Sequence, residues 1–203
     1  MNKGTRFDTH KLVVLAMLCG ILLIMSFTPL GYLNIGPLAI TLNMIPVAVA
    51  AVALGPLGGA VTGGMFGITS FLQCIGVGGV SAMGAILFEI NPFLAFAQRF
   101  FPRLLAGLIA GLVCRWIQKR FNNTAASFVT GFLAAFLNTV LFMSALVLMF
   151  GNTEYVQNLI GGRNIIIFIC AFVGINAVIE MFASTLVVGV VGKVLEKTKM
   201  IRR

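Results

Sequence analysis

Six apolar stretches, separated by short segments rich in glycine, proline or charged residues, run through the chain. The fifth and sixth exceed the ~20 residues that an α-helix needs to cross a bilayer, so we expect them to tilt or to extend past the lipid. We predict one membrane-spanning helix from each stretch, over residues 12–27, 42–55, 58–75, 92–117, 125–150 and 164–192.

The second stretch is the weakest span. As a helix, Leu42–Leu54 would be ~20 Å long, which is short for a hydrocarbon core of ~30 Å. The sequence GPLGG at Gly55–Gly59 predicts a turn directly after it. We therefore expect this helix either to enter the membrane incompletely or to borrow residues from the preceding loop, Thr28–Thr41.

Composition supports a membrane protein. Hydrophobic residues make up 60% of the 203-residue chain, charged residues 9%, and the mean hydropathy is +1.07. Soluble domains carry about 25% charged residues. We predict an all-α integral membrane protein, a six-helix bundle forming one domain over residues 1–203.

The net charge of +9 is concentrated at the ends of the predicted spans. Most basic residues lie before the first stretch, between residues 115 and 120, or at the end of the chain. Basic residues favour cytoplasmic loops, so both termini are predicted to be cytoplasmic and the number of spans to be even. This distribution argues against a nucleic-acid partner and favours a chain whose surroundings are membrane lipid, with the basic clusters at the inner face.

Glycines recur every four residues at Gly55, Gly59, Gly63 and Gly67, and a second pair is Gly107 with Gly111. Small residues at this spacing let helix backbones approach closely in lipid. We interpret both sets as packing faces between helices within the chain.

Catalytic chemistry is sparse. The chain has one histidine, His10, and Glu180 is the acid placed deepest in a span. No nucleophile has a base nearby in the sequence, and the four cysteines lack metal or redox spacing. We predict that the protein is not an enzyme and needs no cofactor or metal, so active transport would take its energy from a partner or an ion gradient.

Arg99 and Arg103 lie one helical turn apart within the fourth span. A charged side chain near the bilayer centre costs roughly 3 kcal/mol on insertion scales, so both charges need neutralisation. One interpretation is an ion pair with Glu180; the other is a pocket for an anionic ligand. We expect both, with Arg99 binding the ligand and Arg103 pairing with Glu180.

Three polar residues from three spans reach one predicted depth. At ~1.5 Å per residue, Arg103, Asn138 and Asn176 all lie about 17–18 Å from the outer ends of their helices. Glu180 lies one turn deeper, on the same helix face as Asn176. This arrangement predicts an outward-facing cavity for a small anion rich in hydroxyl or amide groups, although each asparagine could instead form an interhelical hydrogen bond.

Four segments carry a resemblance to a known family. They are the proline- and glycine-rich half Phe27–Phe71, AQRFFPRLLAGL at Ala97–Leu108, FLNTVLFM at Phe136–Met143, and INAVIE at Ile175–Glu180. In this order the chain resembles the substrate-binding S components of energy-coupling factor (ECF) vitamin transporters, and among them it is most similar to the pantothenate-specific branch.

The resemblance implies a multi-pass protein of the bacterial plasma membrane that binds a vitamin from outside. It also implies partners: a membrane scaffold subunit and two cytoplasmic ATPase subunits. The family docks on the scaffold through an Ala-xxx-Ala motif in the first span. The matching pair here is Ala16 and Gly20, with glycine in the second position.

Pantothenate, with one carboxylate, one amide and two hydroxyls, is the vitamin that the resemblance implies. The predicted substrate-binding residues are Arg99, Arg103, Asn138, Asn176, Glu180, Tyr155, Gln73 and Asn43, although Tyr155 could simply be an interfacial aromatic. One alternative is another vitamin, such as riboflavin or a thiamine precursor, whose flat ring would require stacking aromatics. A second is a stand-alone secondary transporter in which Glu180 carries a proton.

Overall fold

A computed structural model describes residues 9–28, 31–34, 39–79, 81–162 and 164–198 of the chain. The predicted cytoplasmic ends, including Lys3, Arg6, Arg202 and Arg203, lie outside these ranges. The helices are α1 (Thr9–Phe27), α2 (Met44–Leu54), α3 (Pro56–Leu72), α4 (Ala82–Ile90), α5 (Pro92–Arg120), α6 (Asn123–Phe150), α7 (Glu154–Ile160) and α8 (Ile165–Lys197), and a 3₁₀ turn at Gln73–Ile75 follows α3.

The predicted helical fold class is confirmed, with one addition. Strands β1 (Tyr32–Asn34) and β2 (Ala39–Thr41) form an antiparallel hairpin within the predicted loop Thr28–Thr41. Tyr32 pairs with Thr41, and Asn34 pairs with Ala39. The connection between α3 and α5 contains the short helix α4, and the connection between α6 and α8 contains the short helix α7.

Each predicted span corresponds to a helix with nearly the same limits. Among the described residues, four helical segments are long and apolar enough to cross a membrane: Thr9–Phe27, Pro92–Arg120, Asn123–Phe150 and Asn176–Lys197. Helices α2 and α3 are shorter, with 11 and 17 residues. The chain is therefore a multi-pass membrane protein, while the count of six spans stays a prediction.

Helix α2 lies at the centre of the bundle. It contacts α1, α3, α5, α6 and α8, and most of its side chains, including Val47 and Ala48, are fully buried. A helix enclosed by protein does not need to match the bilayer thickness, because its ends are shielded from lipid. This placement accounts for the short second stretch.

The recurring glycines bring α3 against α5. Any side chain at Gly59 would collide with the carbonyl oxygen of Gly107, and one at Gly63 would collide with that of Arg103. A Cβ at Gly67 would lie 2.7 Å from Cα of Phe100. These contacts confirm the predicted packing face and fix the part of α5 that carries both arginines.

Several helix ends meet at one end of the bundle. The last turns of α1 and α3 and the second half of α6 lie beside the first halves of α5 and α8. Asn91 starts α5 by accepting hydrogen bonds from the backbone N–H groups of Phe93 and Leu94, directly before Pro92. The functional cavity lies where these ends converge.

Candidate functional site

A cavity of about 410 Å³ opens among these helix ends. Its wall combines charged, polar and apolar groups from six helices, the hairpin and the loop after α3. The lining residues are Ser26, Phe27, Thr28, Thr41, Ser70, Gln73, Gly78, Gly79, Ser81, Met83, Arg99, Arg103, Asn138, Thr139, Phe142, Met143, Val173, Asn176 and Glu180.

Six of the eight predicted site residues line this cavity. They are Arg99, Arg103, Asn138, Asn176, Glu180 and Gln73, and all six are buried. Polar residues that the sequence placed at similar depths on separate helices therefore do line the same cavity in the fold. That these side chains bind a substrate stays a prediction.

Asn43 and Tyr155 lie outside the described wall of the cavity. Asn43 precedes α2 and is fully buried in the protein interior. Tyr155, on α7, packs against a second apolar cluster that includes Leu87, Phe150 and Val156. Partial burial raises the pKa of the Tyr155 phenol, which therefore stays protonated near neutral pH.

Arg99 is held by hydroxyl groups from two other elements. Its Nη1 donates to Oγ of Ser70 on α3, and its Nη2 donates to Oγ of Ser81, each over 3.3 Å. Ser81 also caps α4, because its Oγ accepts from the backbone N–H of Gly84. The guanidinium thus joins α3, α4 and α5 at the cavity wall.

Arg103 is anchored to its own helix. Its Nη1 donates to the carbonyl oxygen of Arg99 over 2.7 Å. Pro102, which has no backbone N–H, lies between the two arginines and interrupts the regular hydrogen bonding of α5 at this point. The one-turn spacing of the two arginines places both positive groups on one face of α5, at the cavity wall.

Aromatic rings neighbour both cations. The guanidinium carbon of Arg103 lies 4.6 Å from the ring centroid of Phe66 and 4.9 Å from that of Phe142. The guanidinium carbon of Arg99 lies 5.2 Å from the same Phe142 ring. These are cation–π distances.

Glu180 binds the hairpin. Its Oε1 accepts a hydrogen bond of 2.6 Å from the backbone N–H of Thr41 at the end of β2. The carboxylate can accept several further hydrogen bonds, so it can serve ligand hydroxyls at the same time.

Gln73 connects the first helix to the cavity. Its Nε2 donates to the carbonyl oxygen of Ser26 over 2.6 Å, and the hydroxyls of Ser26 and Thr69 lie 3.1 Å apart. The C-terminal end of α1 is therefore fixed to the end of α3 and forms part of the cavity wall.

Asn138 offers an acceptor to a ligand. Its Oδ1 is buried and accepts no hydrogen bond from the part of the chain that the structure describes. A buried, unsatisfied acceptor costs about 1–3 kcal/mol, which a donor on a bound ligand would recover. The cavity wall thus carries two cations on α5 and amide and carboxylate acceptors on α6 and α8.

Sequence reasoning missed Ser70, Ser81 and Phe142. Phe142 lies one turn after Asn138 on the same face of α6, and this spacing was the available signal. The two serines gave no signal, because their role depends on how α3 and α4 pack beside α5.

Within the described residues, no group of three His, Cys, Asp or Glu side chains is placed to hold a metal ion.

Comparisons with known proteins give the family. Residues 10–192 match the family described as "ECF transporter, substrate-specific component". The chain is 31% identical, over 198 aligned residues covering 92% of each protein, to the pantothenate transporter PanT of Leuconostoc mesenteroides.

Both findings agree with the apolar helices and the polar cavity. They confirm that the chain is a membrane transport protein and not an enzyme, as the sequence predicted. The protein belongs to the substrate-specific components of ECF transporters.

Proposed function

We propose that this protein binds pantothenate in the cavity and acts as the vitamin-binding subunit of an ATP-driven ECF importer. The observation that carries the proposal is the wall itself, in which Arg99, Arg103, Asn138, Asn176 and Glu180 meet. The name of the Leuconostoc mesenteroides relative supports the choice of vitamin.

The chemistry of the wall suits pantothenate. A volume of about 410 Å³ lies within the range of roughly 300–1,000 Å³ typical of small-molecule sites. A guanidinium can bind a carboxylate through two parallel hydrogen bonds. The apolar side chains of Met83, Met143 and Val173 offer contacts to the two methyl groups of the vitamin.

We assign the carboxylate to Arg99 and the hydroxyl and amide groups to Asn138, Asn176 and Glu180. In the proposed topology Arg99 lies nearer the outside than Arg103, which we assign as the partner of Glu180. The ligand would then lie along the wall, with its acid towards α3 and α4 and its hydroxyls towards α8.

The first helix supports docking on a scaffold subunit. A side chain at Gly20 would meet no atom of the described residues within 4 Å, and Ala16 is exposed. Within that part of the chain, neither residue is therefore occupied by packing. We propose that this open face of α1 contacts the membrane scaffold, which two cytoplasmic ATPases drive, in a bacterial plasma membrane that the chain crosses six times with both termini inside.

Reconstituted vesicles test the proposal. Vesicles that hold the chain, the scaffold and both ATPases should accumulate radiolabelled pantothenate when ATP is present. Vesicles that lack the ATPases should not, and uptake that persists in them would instead indicate a stand-alone secondary transporter.

The ligand retained after mild purification gives a second readout. Mass spectrometry should detect pantothenate. A copurified fluorescent flavin, or displacement of labelled pantothenate by riboflavin or a thiamine precursor, would overturn the choice of vitamin while leaving the transporter class intact.

A further inference from the structure

We propose that Phe142 is a specificity-determining residue, whose ring holds the guanidinium groups of Arg99 and Arg103 in place and thereby sets the preference of the cavity for an anionic ligand. This inference rests on the proposed function and deepens it. It assigns a role to a side chain that the sequence pattern did not single out.

The ring of Phe142 lies near the guanidinium groups of both arginines. The centroid of Phe142 lies 5.2 Å from the guanidinium carbon of Arg99 and 4.9 Å from that of Arg103. Both arginines are buried, and the Phe142 side chain is half-buried in the cavity wall. The ring is therefore placed to act on the charged groups and on a ligand at once.

Two buried like charges at positions i and i+4 of one helix repel each other. The face of an aromatic ring carries a negative electrostatic potential, so it stabilises both cations. A cation–π contact consumes no N–H donor, and each guanidinium has five. Phe142 can thus hold both groups in place without using any of the N–H donors that bind a carboxylate.

The other ring near Arg103 has a different position. Phe66 is fully buried in the main apolar core and does not line the cavity. Phe142 is the ring that both arginines share, and it lies one turn from Asn138 on the same face of α6. Helix α6 therefore presents an aromatic face to the ligand acid and an amide to its polar groups.

Selectivity between an acid and an alcohol measures this role. The probes are pantothenate and its analogue with a primary alcohol in place of the carboxylate. For the wild type, the dissociation constant of the alcohol divided by that of the acid gives a selectivity ratio. In Phe142→Leu, which keeps an apolar side chain but removes the ring, we expect the ratio to fall about tenfold.

Two further variants separate a role in charge recognition from general packing. Phe142→Tyr keeps the ring face and should retain the wild-type ratio within about twofold. Phe27→Leu changes another phenylalanine of the cavity wall, one that packs against the Gly78 backbone. It should weaken both probes to a similar extent and leave the ratio unchanged.

The outcomes are distinct. If the wild type prefers the acid and Phe142→Leu keeps that preference, the role of Phe142 is wrong and the proposed function stands. If the wild type binds neither probe, or binds the alcohol as well as the acid, the proposed function itself fails. Phe142→Met carries the same expectation as Phe142→Leu and replaces it if the leucine variant does not fold.

Discussion

Thr41 and Glu180, far apart in the sequence, are joined by a hydrogen bond of 2.6 Å from the backbone N–H of Thr41 to Oε1 of Glu180. The bond ties the end of the β-hairpin to α8 at the cavity wall. It gives Glu180 a structural role in addition to any contact with a ligand.

Removing the carboxylate should loosen the hairpin. A hydrogen bond to a charged group contributes about 1.5–3 kcal/mol, so the Thr41 amide in Glu180→Ala should exchange with deuterium roughly tenfold to a hundredfold faster than in the wild type. Glu180→Gln keeps an oxygen acceptor and should show a smaller change. Equal exchange at Thr41 in all three proteins would contradict the role of this bond.

The glycine face between α3 and α5 yields a matched pair of variants. Gly63→Ala inserts a methyl group against the Arg103 carbonyl oxygen, whereas at Gly64 the nearest atom to a new Cβ is 3.5 Å away. We expect Gly63→Ala to destabilise the fold by about 1–3 kcal/mol and to weaken ligand binding, because it displaces α5. Gly64→Ala should be close to neutral.

Thermal unfolding in detergent, with and without pantothenate, measures both effects. Similar melting temperatures for Gly63→Ala and the wild type would show that α5 tolerates the displacement. In that case the glycine face would not position the arginines.

How far the sequence predicts this site depends on the kind of feature. The predicted depths placed Arg99, Arg103, Asn138, Asn176 and Glu180 close together, and all five line one cavity. Such a prediction is possible because residues in a helix rise by a constant ~1.5 Å along its axis. Helix limits were also predicted within a few residues, since apolar stretches end where polar and turn-forming residues begin.

Features that depend on tertiary packing were not predictable. Strands of three residues carry too little alternation to identify a hairpin, and Thr41 is held by a residue distant in the sequence. Phe142 is one of 18 phenylalanines, and only its one-turn spacing from Asn138 distinguished it from the others. Asn43 was also predicted as a site residue, but the fold buries it directly before α2 and outside the described cavity wall.

Docking through α1 can be separated from ligand binding. Gly20→Leu adds bulk to a face where a Cβ at residue 20 has no described atom within 4 Å, so the isolated protein should keep its fold and its affinity for pantothenate. Uptake into vesicles that contain the scaffold and ATPases should be abolished. Ser144→Leu, at an exposed small residue on α6, is the control and should transport normally.

If Gly20→Leu lost binding and uptake to the same degree, the face would serve the fold of the subunit. Normal uptake by this variant would place the docking surface elsewhere.

The proposed orientation can be tested by cysteine labelling in intact cells. Asn158, an exposed residue of α7, should react with a membrane-impermeant maleimide after substitution by cysteine. Lys119, exposed near the end of α5, should react after the same substitution only once the cells are permeabilised. The opposite pattern would invert the topology and direct the cavity towards the cytoplasm.

The central claim is that the guanidinium of Arg99 binds the carboxylate of pantothenate. Because a charge-assisted hydrogen bond contributes about 1.5–3 kcal/mol, Arg99→Ala should weaken pantothenate binding by roughly tenfold to more than a hundredfold. Arg103→Ala should mainly lower the melting temperature, since it would leave Glu180 without its proposed partner in a buried site.

Calorimetric titration of the wild type and Arg99→Ala, with pantothenate and with its alcohol analogue, is the most direct measurement. We predict that the wild type binds the acid much more tightly than the alcohol, and that Arg99→Ala loses affinity for the acid but hardly for the alcohol. Arg99→Ala binding pantothenate as tightly as the wild type, or losing the acid and the alcohol equally, would contradict the account.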